Sequence, residues 1–199
     1  MNIRAIIIAV VVIVILYLII KYLMGHSSLT DLNDAKTTQT IGANNLDASN
    51  AQGSNFTYSV WFYVSNWNYK YGESKVVLGR LDKDGEASPS IVLGAMTNDL
   101  NITVTTYPTI KSKQQGNQHT CNVQNVPLQK WVNLIVSLYG RSMDVYIDGK
   151  LVRTCMLPGV PKIDDDSNVS VTPGGGFSGY TAKLQYWDDA IDPQKAWDT

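Results

Sequence analysis

The chain has 199 residues, with 16 Lys plus Arg against 17 Asp plus Glu and a formal net charge of -1. With Arg4 and Lys21 set aside as flanks of an apolar run, 14 basic residues face 17 acidic ones, which argues against a phosphate-tracking nucleic-acid surface, since that needs a clustered basic face. Beyond residue 24 about 175 residues remain, enough for one domain with its own core.

The first element is the unbroken apolar run AIIIAVVVIVILYLII, Ala5 to Ile20, bracketed by Arg4 and Lys21. Continued through Tyr22, Leu23 and Met24, with Lys21 snorkelling to the interface, it supplies about 20 residues at about 1.5 Å each, close to the roughly 30 Å of a bilayer's hydrocarbon core. A single transmembrane α-helix is therefore expected over residues 1–24, with a lipid bilayer as partner. A cleaved secretory signal would have a shorter apolar core and a small-x-small site, whereas this run closes on Met24-Gly25-His26. A buried helix of a soluble domain fits less well, because the run is apolar on every face. Arg4 on one side and Lys21 and Lys36 on the other leave the positive charge nearly balanced, so charge does not orient the span.

Residues 25–35 are rich in Ser, Thr, Asn and Asp and read as a polar stalk. The domain is expected over 36–199, with KTTQTI (36–41) as a first strand. In FTYSVWFYV (56–64), period two puts Phe56, Tyr58, Val60, Phe62 and Val64 on one face and Thr57, Ser59, Trp61 and Tyr63 on the other. Further strands are predicted at 74–81, 89–95, 100–107, 119–123, 130–139, 142–148, 150–157, 168–172 and 179–187. Turn residues punctuate them, among them Asp82-Lys83-Asp84-Gly85, Pro158-Gly159 and Pro173-Gly174-Gly175-Gly176. In MDVYIDGKLV, Asp148-Gly149 sits between two alternating runs and predicts a two-residue type I′ hairpin. Helix is otherwise confined to a turn near Asp192 to Trp197. The pattern is all-β: an antiparallel β-sandwich or jelly roll behind one transmembrane helix.

The succession FTYSVWFYV, KVVLGR, LNITV, VPLQKWVNLIVSL, DVYIDGKLV and GGGFSGYTAKLQYWDDAIDP resembles the concanavalin A-like, laminin G-like jelly rolls across roughly residues 36–197. The Trp131 strand leading into Val145-Tyr146-Ile147-Asp148-Gly149, and Phe177-Ser178-Gly179, carry most of the likeness. The amino-terminal anchor, the VPLQKW phrase and a cysteine on each side of it resemble proteins of large double-stranded DNA viruses. That resemblance implies a minor virion component at the internal membrane or the capsid around it, with capsid proteins as partners.

The same jelly roll supports glycoside hydrolases, which need two facing carboxylates. Glu73 and Glu86 are the only glutamates, both in expected loops, and the Glu-x-Asp-x-Glu strand of the family's glucanases is missing. No enzymatic activity is expected. His119 and Cys121 share a strand face and so admit a thiol nucleophile pair, but Cys121 reads better as half of a disulfide or as a small apolar residue. A Cys121–Cys155 bond would close a loop of about 34 residues and stabilise the domain by about 2–4 kcal/mol. No cofactor is expected. Calcium is the one ion to weigh, since Asp82-Lys83-Asp84-Gly85 opens like a calcium loop but lacks its later ligands. The other acidic stretch, Asp164-Asp165-Asp166, offers oxygen ligands of the kind the laminin G-like resemblance implies for calcium at a sheet rim, but reads better as a solvated loop.

Trp67, Tyr69 and Tyr71, with Trp61 on the preceding strand, mix rings with amides and mark a partner or glycan surface, against the alternative that they cover the sandwich's second face. Asn55, Asn101 and Asn168 head N-x-S/T triplets, which accept glycans only on a lumenal or extracellular domain. The sequence is thus expected to encode a membrane-anchored, non-enzymatic interaction protein. A carbohydrate-binding ectodomain is the alternative, and a hydrolase of the same fold comes third.

Overall fold

A computed structural model describes residues 10–18, 28–46, 54–108 and 116–199. Residues 10–18 form a helix, α1. The strands that follow are β1 Asn33–Asp34, β2 Gln39–Ile41, β3 Phe56–Asn66, β4 Lys75–Leu81, β5 Ala87–Leu93, β6 Leu100–Thr106, β7 Asn117–Val123, β8 Trp131–Tyr139, β9 Ser142–Ile147, β10 Lys150–Met156, β11 Val169–Val171 and β12 Ser178–Trp187, and α2 Pro193–Asp198 closes the series. They build two six-stranded sheets, one ordered β1-β12-β3-β8-β9-β10 and the other β2-β11-β4-β5-β6-β7. Every ladder is antiparallel.

The core lies between the sheets and follows from period-two alternation. Phe56, Tyr58, Val60, Phe62 and Val64 of β3 are at most 1% exposed, and they form one cluster with Leu78, Ile91, Leu93, Leu100, Ile102 and Val104 of the second sheet. Each large apolar side chain removed from water contributes about 1.5–3 kcal/mol. Arg80 brings a charge to this layer. Arg80 donates from Nε to the Ser167 carbonyl at 3.1 Å, from Nη2 to the Asp165 carbonyl at 3.1 Å and from Nη1 to Tyr58 Oη at 3.4 Å, so its guanidinium is hydrogen-bonded where it lies. Burial pushes the Tyr58 phenol well above its ordinary pKa, against the pull of Arg80.

The amino-terminal span expected to anchor the chain lies only partly within the described residues. The nine residues of α1 are all between 48% and 65% exposed. Among the described residues no helix is long and apolar enough to cross a membrane. The rest of the expected 1–24 span, residues 1–9 and 19–24, lies outside the described residues.

The polar segment after it differs from the stalk expected over 25–35. Leu29 donates its N–H to the Leu184 carbonyl at 2.7 Å, Asn33 and Asp34 pair with β12, and Ala35 is fully buried. The sandwich thus begins within that segment: backbone bonds to β12, half-buried Leu29 and the small buried side chain of Ala35 hold it, too little for a hydrophobic period to register.

The β9–β10 hairpin has its turn at Asp148 (φ 50°) and Gly149 (φ 73°), the pair of positive φ values that defines type I′. It delivers β10 to the edge of the first sheet, while β7 forms the corresponding edge of the second. Cys121 on β7 and Cys155 on β10 are bonded across these edges, their Cα atoms 6.1 Å apart.

Candidate binding face

The outer face of the first sheet carries the non-core alternation of β3. Tyr63 stands opposite Trp131 of β8 on one side and Tyr180 of β12 on the other, with ring centroids 5.7 Å and 6.4 Å apart. Trp131 is 39% exposed and Tyr180 46%, so this three-ring row faces solvent. Trp61, two residues back on the same face, stands opposite Asn133 and Ala182. Small neighbours leave a depression around its indole.

The far wall comes from α2. Asp192 caps this helix, its Oδ1 accepting the Lys195 N–H at 2.7 Å, and Pro193 follows at the first helical position. Ala196 and Ile191 pack on Ile135 and Tyr146, clamping α2 onto the sheet's outer face. Ser137 Oγ accepts the Ile191 N–H at 3.1 Å, and Thr57 Oγ1 donates to the Asp189 carbonyl at 2.8 Å. Trp197 is left 63% exposed. A groove of about 310 Å³ results, lined by Trp61, Trp131, Asn133, Asp148, Gly149 and Trp197 among others.

Asp148 is fixed at the rim. Its Oδ1 accepts the Asn133 N–H at 2.9 Å and its Oδ2 accepts from Lys130 Nζ at 2.9 Å. Asn133 Nδ2 donates to Ser59 Oγ at 3.1 Å beneath the groove. A Cβ added at Gly149 would lie 3.0 Å from Trp197 Cα and 3.2 Å from its ring, so glycine serves both the turn and the seat of α2.

The aromatic loop divides differently from the surface expected of it. Lys75 Nζ lies 4.4 Å from the Trp67 ring centroid, and Trp67 Nε1 donates to the Met96 carbonyl at 3.3 Å. Tyr69 donates to the Gly175 carbonyl at 3.2 Å under Lys36, whose Nζ is 5.0 Å from the ring. Both rings are half-buried, Trp67 against the core, and Tyr71 is the exposed member. Burial holds the Lys75 ammonium below the usual lysine pKa. Trp61 belongs to the sheet face with Trp131 and Trp197, a grouping that loop composition did not reveal.

The remaining candidates fall elsewhere. Asp82 to Gly85 makes the β4–β5 turn, and Lys162 donates to Asp82 Oδ2 at 2.8 Å and to Glu86 Oε2, so an ammonium occupies the place a cation would take. Only about 10 Å³ remains among these groups. Asp164 accepts from the Asp166 N–H and from Ser167 Oγ, organising its own loop. Among the described residues no group of three or more acidic, His or Cys side chains could hold a metal. The Cys121 sulfur is joined to Cys155, which leaves no thiol beside His119. Asn55 is engaged at both ends, donating to Asp189 Oδ1 at 3.0 Å and accepting the Gly140 N–H at 2.8 Å. Asn101 Oδ1 accepts from Asn122 Nδ2, and Asn168 Oδ1 from the Ala43 N–H.

Two antiparallel six-stranded sheets packed over one core define a jelly-roll β-sandwich domain. More narrowly, the chain belongs to the concanavalin A-like lectin/glucanases superfamily, whose laminin G-like model matches residues 34–197. No curated protein matches the chain in sequence. Solved structures with the same fold include the binding domain of botulinum neurotoxin DC in complex with SialylT, with a TM-score of 0.60, 13% identity and coverage of 81% of this chain and 38% of that one. The same domain in complex with rat synaptotagmin II gives 0.60 and 15%, covering 81% and 39%. The botulinum neurotoxin serotype G binding domain gives 0.58 and 10%, covering 87% and 46%. The chain thus spans less than half the length of these solved domains.

Proposed function

We propose that this protein is a membrane-anchored, non-enzymatic binding head that docks a neighbouring protein through the outer face of its first sheet. One observation carries the reading: Trp61, Tyr63, Trp131, Tyr180 and Trp197 come together on a single accessible face. Clustered Trp and Tyr side chains are the anchors on which interface energy concentrates. Solved structures of the same fold are binding domains in complex with SialylT and with rat synaptotagmin II. The apolar helix α1, about half exposed at every residue, supports the bilayer attachment. The viral likeness of the sequence suggests the narrower setting, a minor virion protein linking an internal membrane to the capsid shell.

Carboxylate placement supports a head without hydrolase chemistry. Glu73 precedes β4 and Glu86 follows it, and a seven-residue strand separates its ends by about 20 Å, far beyond the roughly 5–9.5 Å that glycosidic cleavage uses. Incubation with oligosaccharides is expected to give no cleavage products; turnover lost on Glu73→Gln or Glu86→Gln would refute the reading.

Cross-linking mass spectrometry on purified particles tests docking directly. Links to a shell subunit are expected from Lys130 and Lys195, beside the groove. Trp61→Ala and Trp197→Ala are expected to weaken capture of that subunit about tenfold each, the scale of a hot-spot residue. Selective binding on a glycan array, lost with the same substitutions, would favour the lectin alternative.

A further inference from the structure

The polar inventory of the groove narrows what it can hold. Three indoles supply its large side chains, Asp148 is the charged side chain among the lining residues, Asn133 is already committed to Ser59, and the Thr199 hydroxyl to the Lys195 carbonyl. A sugar ring needs a fan of donors and acceptors beside the ring it stacks on, and little of that is on offer. A cation needs the reverse: electron-rich ring faces within about 6 Å and a carboxylate at the rim. The same protein uses ring faces this way twice, with Lys75 over Trp67 and Lys36 over Tyr69.

We infer that the groove between Trp61, Trp131 and Trp197 receives a cationic side chain, an arginine or lysine of the docked protein, with Asp148 as its counter-charge. This rests on the docking role proposed above. Arginine suits the site better, because its planar guanidinium stacks on indole and pairs with a carboxylate through two N–H groups at once. Lys130 holds Asp148 in the unbound chain, but the two side chains are 53% and 36% exposed, and an ion pair this open is weak and exchangeable. Lys130 is then a resident competitor, displaced when the partner's cation arrives.

The test uses the full chain in polyoxyethylene-ether micelles, which carry neither sugar nor quaternary ammonium, with the tryptophan indole N–H resonances followed by NMR. A capped Gly-Arg-Gly peptide is titrated against its citrulline counterpart, which keeps the shape and removes the charge. The arginine peptide is expected to bind about tenfold tighter and to shift the Trp61, Trp131 and Trp197 signals. Lys130→Met is expected to raise its affinity several-fold by clearing Asp148. Asp148→Asn, which retains an oxygen for the Asn133 N–H and a residue tolerant of positive φ, is expected to remove most of the preference for arginine. Unfolding midpoints of both variants establish that the fold persists.

Equal binding of the two peptides overturns the inference, as does a response of these indoles to methyl glycosides at lower concentration than to arginine. Should neither peptide bind while particle cross-links still converge on this face, the cation inference fails and the docking role stands. Loss of those cross-links as well would remove both.

Discussion

Asp82 shows how single groups set the acid tolerance of the head. Burial works against its ionisation, yet the hydrogen bond from Lys162 and the N–H groups of Glu86 and Asp84 outweigh it and hold its pKa below the ordinary 3.8. A carboxyl depressed by folding stabilises fully above its ordinary value, and the contribution drains away as pH falls through its folded value. Asp82→Asn is therefore expected to melt lower than the parent near neutral pH, with the gap closing below about pH 4. Thermal melts across that range check it. The reverse case is Lys75, fully buried with its ammonium on two carbonyls and the Trp67 ring. Replacing it by methionine, of similar length and uncharged, is expected to leave denaturant stability unchanged or raised by about 1 kcal/mol, since it relieves a desolvated charge. Most of β3 was legible at this scale, because strict alternation from Phe56 to Val64 decides which side chains face the core. The exposed half was not, since what leaves the Trp61 indole accessible is its cross-strand company, Asn133 and Ala182.

Among elements, the two sheet edges at β7 and β10 stand out. β10 exposes Leu151, Val152 and Met156 and among the described residues has one ladder partner, β9, the profile of a strand prone to stray pairing. The Cys121–Cys155 bond fastens that strand to the opposite sheet across 34 residues of chain. Cys121→Ser with Cys155→Ser is expected to cost about 2–4 kcal/mol in denaturant unfolding and to speed hydrogen exchange in β10 before β8. The short edges β1 and β2, of two and three residues, expose little to pair with. The long strands are legible in the sequence to within a residue or two, because their apolar period and turn residues are local. β1 is not, since pairing with β12 supplies the order that composition lacks.

At the scale of the whole molecule, an acidic sandwich and an exposed apolar helix must share one chain. Flotation with vesicles is expected to carry the full chain upward and to leave a variant lacking residues 1–24 at the bottom of the gradient; co-flotation of that variant would place the lipid contact on the sandwich instead. The fold class was legible because strand signals recur at short spacing throughout. The proposed docking face was not, because its parts are contributed by β3, β8, β12 and α2, and the groove on it depends on how Ala196 and Ile191 settle over Ile135 and Tyr146.

That dispersal has a consequence for assembly. Residues 61, 131 and 197 become neighbours only when the sheet is complete and the last helix has been laid across it. A half-made head would therefore have nothing with which to hold a companion, so premature adhesion during synthesis is discouraged by construction. On the docking role proposed above, recruitment doubles as quality control, because a partner that needs this cleft selects molecules that have finished folding.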